Sequence, residues 1–301
     1  MDYPAPMVEG QRRRGRSGRR AGALAALAIA VLTVTGCGGG SDKDPAERGA
    51  GIALAARLPS DNALYVTIAD VAGIRKTLDM PKGAIPPTDD DETDLAFLRE
   101  VDPALGILQS GTFPQSVVDE ALSRSSFVAS VAGDEGVTAF TISGDSSDFE
   151  PLLTQAGLTE DGDEWVADDD EFSIALGEGL VVFADDPGDA GPVVENDDAD
   201  PPEELDQLDG DGELITFSKA GADCIKAVAT TDTPGENGEV AFFTTATPDP
   251  SKITGAGVNE DRTRIENDSA RVSIPRADEV TQEPPAFTAL QNFSLSYDCD
   301  A

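Results

Sequence analysis

Histidine is absent from all 301 residues of the sequence. That absence removes Ser-His-Asp and Cys-His nucleophilic catalysis, HExxH zinc sites and any other metal site with an imidazole ligand. Rings with a polar edge are nearly as scarce, limited to Trp165 and to Tyr3, Tyr65 and Tyr297. Few platforms are therefore left on which a sugar could stack. Phosphate loops of the GxxxxGK[ST] and GxGxxG types do not occur, and the nearest stretch, "ITGAGVN" from Ile253, lacks the third glycine. No cofactor is expected from these residues.

Positive charge is the next shortage. Only 21 Lys and Arg stand against 58 Asp and Glu, a formal net charge of −37. Six of the arginines lie in the first 36 residues, which leaves 15 basic and 56 acidic residues beyond Gly36. A surface of this sign repels nucleic-acid phosphates, so no nucleic-acid partner is expected; it attracts cations and basic partners of the cell envelope, and it keeps a chain soluble. Hydrophobic residues make up 39% of the chain, including 12 Phe, enough for a packed core.

Among so many acids, calcium ligation is the natural question. An EF-hand loop requires D-x-[DN]-x-[DN]-G with a bidentate Glu at its twelfth position. Counting from Asp209, position six is Leu214; counting from Asp161, it is Val166. Neither stretch meets the template, and both are expected as solvated turns, with no metal site. The serines of "SGDSSD" (Ser143 to Asp148) have no histidine partner and are accounted for as a turn and helix cap.

The N-terminus carries a processing signal. The cluster "RRRGRSGRR" precedes the apolar run Ala21–Thr35, which ends at Gly36-Cys37 and "GGGS". Fifteen helical residues span about 23 Å, short of a hydrocarbon core of about 30 Å, so a secretory signal is favoured over a transmembrane helix. Val34-Thr35-Gly36-Cys37 resembles the lipobox of bacterial lipoproteins, and the chain is similar in style to lipoproteins of GC-rich Gram-positive bacteria. The resemblance implies cleavage between Gly36 and Cys37, acylation of the Cys37 thiol, and an anchor on the extracytoplasmic face of the cell membrane. Two acyl chains hold durably where one does not. The glycines after Cys37 have the composition of a flexible tether. With Cys37 assigned to lipid, Cys224 and Cys299 remain, and an oxidising compartment favours a disulfide between them.

The segments expected are a signal peptide at 1–36, a tether at 37–50, an α+β domain at 51–194, an acidic linker at 195–213 and a smaller α+β domain at 214–301. Within them "ALYVTIAD" predicts a strand entering a helix capped by Asp70. Helices are expected around Asp94–Val101 and Gln115–Arg124, and Phe149, Leu152, Leu153 and Ala156 trace an amphipathic stripe. "SFVASVAG", "GVTAFTISG", "EWVA", "EFSIALG" and "LVVFAD" predict strands, the first two joined by a turn at Gly133–Gly136. Beyond the linker, "ELITFS", "EVAFFTTAT", "ARVSIP" and "NFSLSYD" predict further strands, with a helix over "KAGADCIKAVA" and a short one in "DPSKITGA". The fold class expected is α+β: mostly antiparallel strands with short helices packed on one face. Two pairs of stretches repeat an order of elements, which suggests related subdomains: "ALYVTIADVAGIRKTL" with "ELITFSKAGADCIKAV", and "GVTAFTISGDSSDFEPLL" with "EVAFFTTATPDPSKIT".

The function these features imply is a lipid-anchored exported envelope protein, a binding or structural module without catalysis. The alternatives are a carboxylate-based hydrolase of envelope polymers and a calcium-dependent surface adhesin.

Overall fold

Hydrogen bonding between strands organises the molecule, a computed structural model that describes residues 45–301 apart from 60–63, 89, 133–135, 168–170, 198, 209–211, 220–223, 256–257, 267, 277–283, 293 and 300–301. The lipobox residues Val34, Thr35, Gly36 and Cys37 and the turn at 133–135 lie outside the described residues, as do 209–211 of the acidic stretch.

In chain order the first half contains α1 (Pro45–Ala56), β1 (Tyr65–Asp70), α2 (Val71–Thr77), α3 (Asp91–Leu105), a 3-10 turn at Gly106–Ser110, α4 (Gln115–Arg124), β2 (Ser125–Ala132) and β3 (Val137–Ile142). A 3-10 turn at Ser146–Phe149 leads into α5 (Glu150–Gln155), followed by β4 (Thr159–Asp161), β5 (Glu164–Val166), β6 (Ser173–Gly177), β7 (Leu180–Ala184), α6 (Ala190–Glu195) and α7 (Glu203–Asp206). The second half runs β8 (Leu214–Lys219), β9 (Ile225–Asp232), β10 (Gly238–Thr244), β11 (Ile253–Gly255), β12 (Thr263–Glu266), β13 (Ser269–Ile274), α8 (Pro285–Gln291) and β14 (Leu295–Tyr297).

Twelve strands form one antiparallel sheet in the order β12-β13-β10-β9-β8-β1-β2-β3-β7-β6-β5-β4, and β11 pairs with β14 in a separate ribbon. The fold is α+β, as expected. Strands from both sides of residues 195–213 share that sheet, and the two halves of the chain meet at its centre, where β8 pairs with β1. From this central pair the halves read outward in parallel fashion: β1-β2-β3-β7-β6 on one side, β8-β9-β10-β13-β12 on the other. The stretches that the sequence pairs as repeats, β1 with β8 and β3 with β10, occupy equivalent places in the two halves. Even the turns entering the β7 and β13 strands match, with Gly179 at φ +66 and Asp268 at φ +53. What differs is the connection from first to second strand: α2, α3 and α4 intervene between β1 and β2, whereas only a short stretch separates β8 from β9.

Helices cover both faces of the sheet, where one was expected, because its central strands are apolar on both sides. The larger helical layer, α2 to α5, packs on one face through Ile74, Phe97, Val117 and Leu153 against Val128, Phe140 and Val181. α8 lies over β9, β10 and β13 on the same side. The opposite face carries α1, α6 and α7, whose Ile52, Val193 and Leu205 pack on Ile68, Phe127 and Val182.

One expectation is corrected here. Of "KAGADCIKAVA", expected as a helix, residues 220–223 lie outside the described residues and the remainder is not helical: Lys219 ends β8, and Ile225–Asp232 forms β9, paired with β8 and β10. Ala227 and Ala229 face the layer of α1, α6 and α7 while Val228 and Thr230 face the side of α8, so a two-edged ladder with burial on both sides overrides a modest helix propensity. Likewise "DPSKITGA" holds a 3-10 turn, Pro250–Lys252, that runs directly into β11.

Candidate binding cleft

α3 is the element that builds the site. Asp90 caps its start, accepting from the backbone N–H of Glu92 and Thr93, and Phe97, Val101 and Ala104 press its inner face on the sheet. Its last turn, with the 3-10 turn that follows, lies against β2 and β3. Gly106 makes this possible: at φ +53 it also sits so close that a Cβ would come within 2.8 Å of the Ser130 Cβ. The Thr138 hydroxyl donates to the Leu105 carbonyl at 3.0 Å and fixes the approach.

Between this structure and α8 opens a cleft of about 490 Å³. Arg99, Asp102 and Gln109 line it from the α3 side and Phe287 and Gln291 from α8, and Tyr65 of β1 and Gly136 are also in the lining. Asp185, just after β7, accepts from the Gly136 N–H at 2.9 Å, and a Cβ on Gly136 would collide with that carboxylate and with Ile107. Partial burial raises the Asp185 pKa against the pull of the Gly136 N–H, and desolvation likewise raises Asp102.

Beneath the two walls runs a polar seam that divides the apolar core of this face. Thr138, Ser130, Thr67, Thr216 and Thr230 stand in register across five adjacent strands, from β3 to β9. All are buried, and the Thr67 and Thr216 hydroxyl oxygens are 3.4 Å apart. The Thr230 hydroxyl has no hydrogen-bond partner among the described residues. Next to this ladder, Glu100 of α3 pairs with Arg276 at 2.7 Å. Asp232, at the end of β9, accepts from the Ala286 and Phe287 N–H groups at the start of α8, both at 2.9 Å. Burial pushes the Glu100 carboxyl up to about 7, opposed by Arg276, and Asp232 up to about 6, opposed by the two N–H donors. Glu213, beside them, accepts from the Thr77 hydroxyl at 2.9 Å. The seam thus ties α3 and α8, the two walls of the cleft, to one buried cluster.

Of the residues singled out in the sequence, Cys224 and Cys299 are brought together as a disulfide with Cα atoms 5.7 Å apart, within the usual range. Among the described residues no group of three Cys, Asp or Glu side chains is arranged to hold a metal ion. No helix among them is long and apolar enough to cross a membrane. Sequence reasoning missed Glu100, although a signal existed: Phe97, Glu100, Val101 and Ala104 follow the i, i+3, i+4, i+7 spacing of a buried stripe with a carboxylate inside it. Asp232 and Arg276 gave no such sign, because their partners come from remote elements.

The fold and site define an α+β protein with one continuous antiparallel sheet, a disulfide-tied second half and a mixed polar cleft. No family model and no curated protein matches the chain. Solved structures of TP0453 align with it at low identity. Crystal form I gives a TM-score of 0.44 at 9% identity over 75% of this chain and 93% of that one. Crystal form IV gives 0.45 at 10% over the same shares, and crystal form III 0.43 at 9% over 77% and 96%.

Proposed function

We propose that the chain is a lipid-anchored exported protein of the cell envelope, a non-enzymatic binding module whose ligand enters the cleft between α3 and α8. The observation that carries the export half of this reading is the Cys224–Cys299 disulfide, a bond that persists in oxidising compartments. It agrees with the arginine cluster, apolar run and Val34–Cys37 motif at the N-terminus. The binding half rests on the cleft, whose size and mixture of apolar and polar groups fit a small ligand. Mass spectrometry of protein extracted from the membranes of the native host tests the anchor. The expected N-terminus is Cys37 carrying a diacylglycerol; an unmodified Cys37 or an intact Met1 overturns it.

A second reading, hydrolysis of an envelope polymer by carboxylates, is favoured by one observation: Asp102 and Asp185 line the same cleft, and desolvation raises both from their ordinary value. Release of soluble fragments from purified envelope polymers, lost in Asp102→Asn and Asp185→Asn, would establish it in place of the first.

A further inference from the structure

Cations are scarce in this chain, yet four of them face one recess on the far side of the helical layer. A cleft of about 560 Å³ opens where the C-terminal ends of α2 and α4 meet the start of β2, lined by Arg75, Lys76, Lys82 and Arg124. Two of the four are engaged by the fold. Arg75 is buried and donates to the carbonyls of Leu122 and Ser125 at the end of α4 and of Ala84 between α2 and α3. Arg124 is held by Glu120 at 2.6 Å and Asp148 at 2.8 Å.

Lys76 and Lys82 are not so engaged. Both are exposed, and neither has an ion pair among the described residues of a chain in which acids outnumber bases 58 to 21. Asp79 is the one carboxylate lining the cleft with them. A second, independent feature points into the same recess. The register of β2 against β3 shifts between Ser125 and Phe127, so Ser126 is an extra residue in the ladder and lines the cleft. Such bulges redirect a side chain, often beside a site. The hydroxyls of Ser123, Ser125 and Ser143 donate to the carbonyls of Glu120, Leu122 and Arg124, whereas Ser126 has no side-chain partner among the described residues.

We propose that this cleft binds a phosphoryl anion, with Lys76 and Lys82 supplying charge and Ser126 and Arg124 orienting its oxygens. Two ammonium groups without acid partners match the charge of about −2 carried by a phosphate monoester, and the surrounding donors match its three terminal oxygens. The strongly acidic remainder of the surface repels anions generally, which makes this recess selective in place rather than part of a broad basic patch. The site does not depend on the anchor or on the α3–α8 cleft.

The complementarity is that of a soluble phosphate monoester; the phosphodiester of a lipid headgroup, with one charge and two free oxygens, is the alternative source, and two soluble probes separate them: inorganic phosphate and glycerophosphoglycerol, the deacylated headgroup. Titration calorimetry with the full chain compares the unaltered protein with Lys76→Gln/Lys82→Gln and with Lys219→Gln/Lys226→Gln, a pair of exposed lysines elsewhere. Thermal midpoints verify that each variant is folded. Binding of either probe that weakens about tenfold or more in the first variant and less than about twofold in the second supports the site, and the tighter probe names the source. Absence of binding by both probes, or equal weakening in the two variants, overturns it.

Discussion

Glu100 and Arg276 form an ion pair with both side chains almost wholly shielded from water, at 1% and 3% exposure. A pair in this position is costly to desolvate, and its members depend on each other. Arg276→Met leaves the Glu100 carboxylate uncompensated beside Asp232 and Glu213, two further acids of the seam. The expected loss is about 3–5 kcal/mol in chemical denaturation at pH 8. It becomes smaller at pH 5, where Glu100 takes up a proton. The double variant Glu100→Gln/Arg276→Met recovers most of the loss, because no buried charge remains.

The seam also sets the slope of stability against pH. Glu100 is raised from 4.5 to about 7 and Asp232 from 3.8 to about 6. Between the unfolded and folded values the native state holds protons that the unfolded chain has released. The contribution of both groups is therefore present at low pH and is lost as pH rises from about 4 to about 7. The exposed caps Asp90, Asp145 and Asp249 are lowered by their hydrogen bonds and act in the opposite sense, at pH values below about 4. Denaturant midpoints across pH 4 to 8 should fall, and Glu100→Gln should flatten the upper part of that fall. Midpoints that rise throughout would show that the two carboxyls are not desolvated.

Arg75 holds three backbone carbonyls and lies 5.4 Å from the centre of the Phe97 ring. Burial lowers its pKa to about 10, which leaves it charged at neutral pH. Arg75→Met strands carbonyl oxygens in the core at roughly 1–3 kcal/mol each. Arg75→Lys cannot restore the planar fork that reaches them together. Urea titration should show both variants destabilised by about 3 kcal/mol or more, with lysine recovering only a minor part.

The disulfide closes a separation of 75 residues between the region before β9 and the end of the chain. Chain-entropy arguments give it a stabilisation of about 4 kcal/mol. Cys224→Ser/Cys299→Ser should lower the denaturation free energy by that order, and the unaltered protein should shift to match it when a reductant is added. Indifference to reductant would mean that the two thiols are free in solution.

Local patterning carried much of the fold. Gln115–Arg124, the β2–β3 and β6–β7 pairs and the strand entering α2 were legible because turn residues and period bounded them closely. Asp70 does cap α2, accepting from Gly73 at 2.7 Å. Short pieces such as β4, β12, α6, α7 and α8 were not, since three to seven residues hold too little periodicity to stand out. The stretch 225–232 misled because its alanines suit a helix, and only pairing on both edges makes it a strand. Composition marked 195–213 as a break in character, but it carries no information about the hydrogen bonds joining β1 to β8. Cysteine counting led to the disulfide, a relation between two residues of rare type. The cleft and its seam draw on α3, β1, β9, α8 and the end of β7, and no spacing in the sequence records that meeting.

The central strand pair has a local two-fold arrangement. Val66 faces Phe217, Thr67 faces Thr216 and Ile68 faces Ile215, an arrangement centred on the two threonines. Two identical half-length subunits joining their exposed edge strands across a dyad would make the same contact. Fused in one polypeptide, such a dimer no longer separates on dilution, and its protomers are free to specialise. In this chain one half carries three helices between its leading strands, and the other a cystine at its margin.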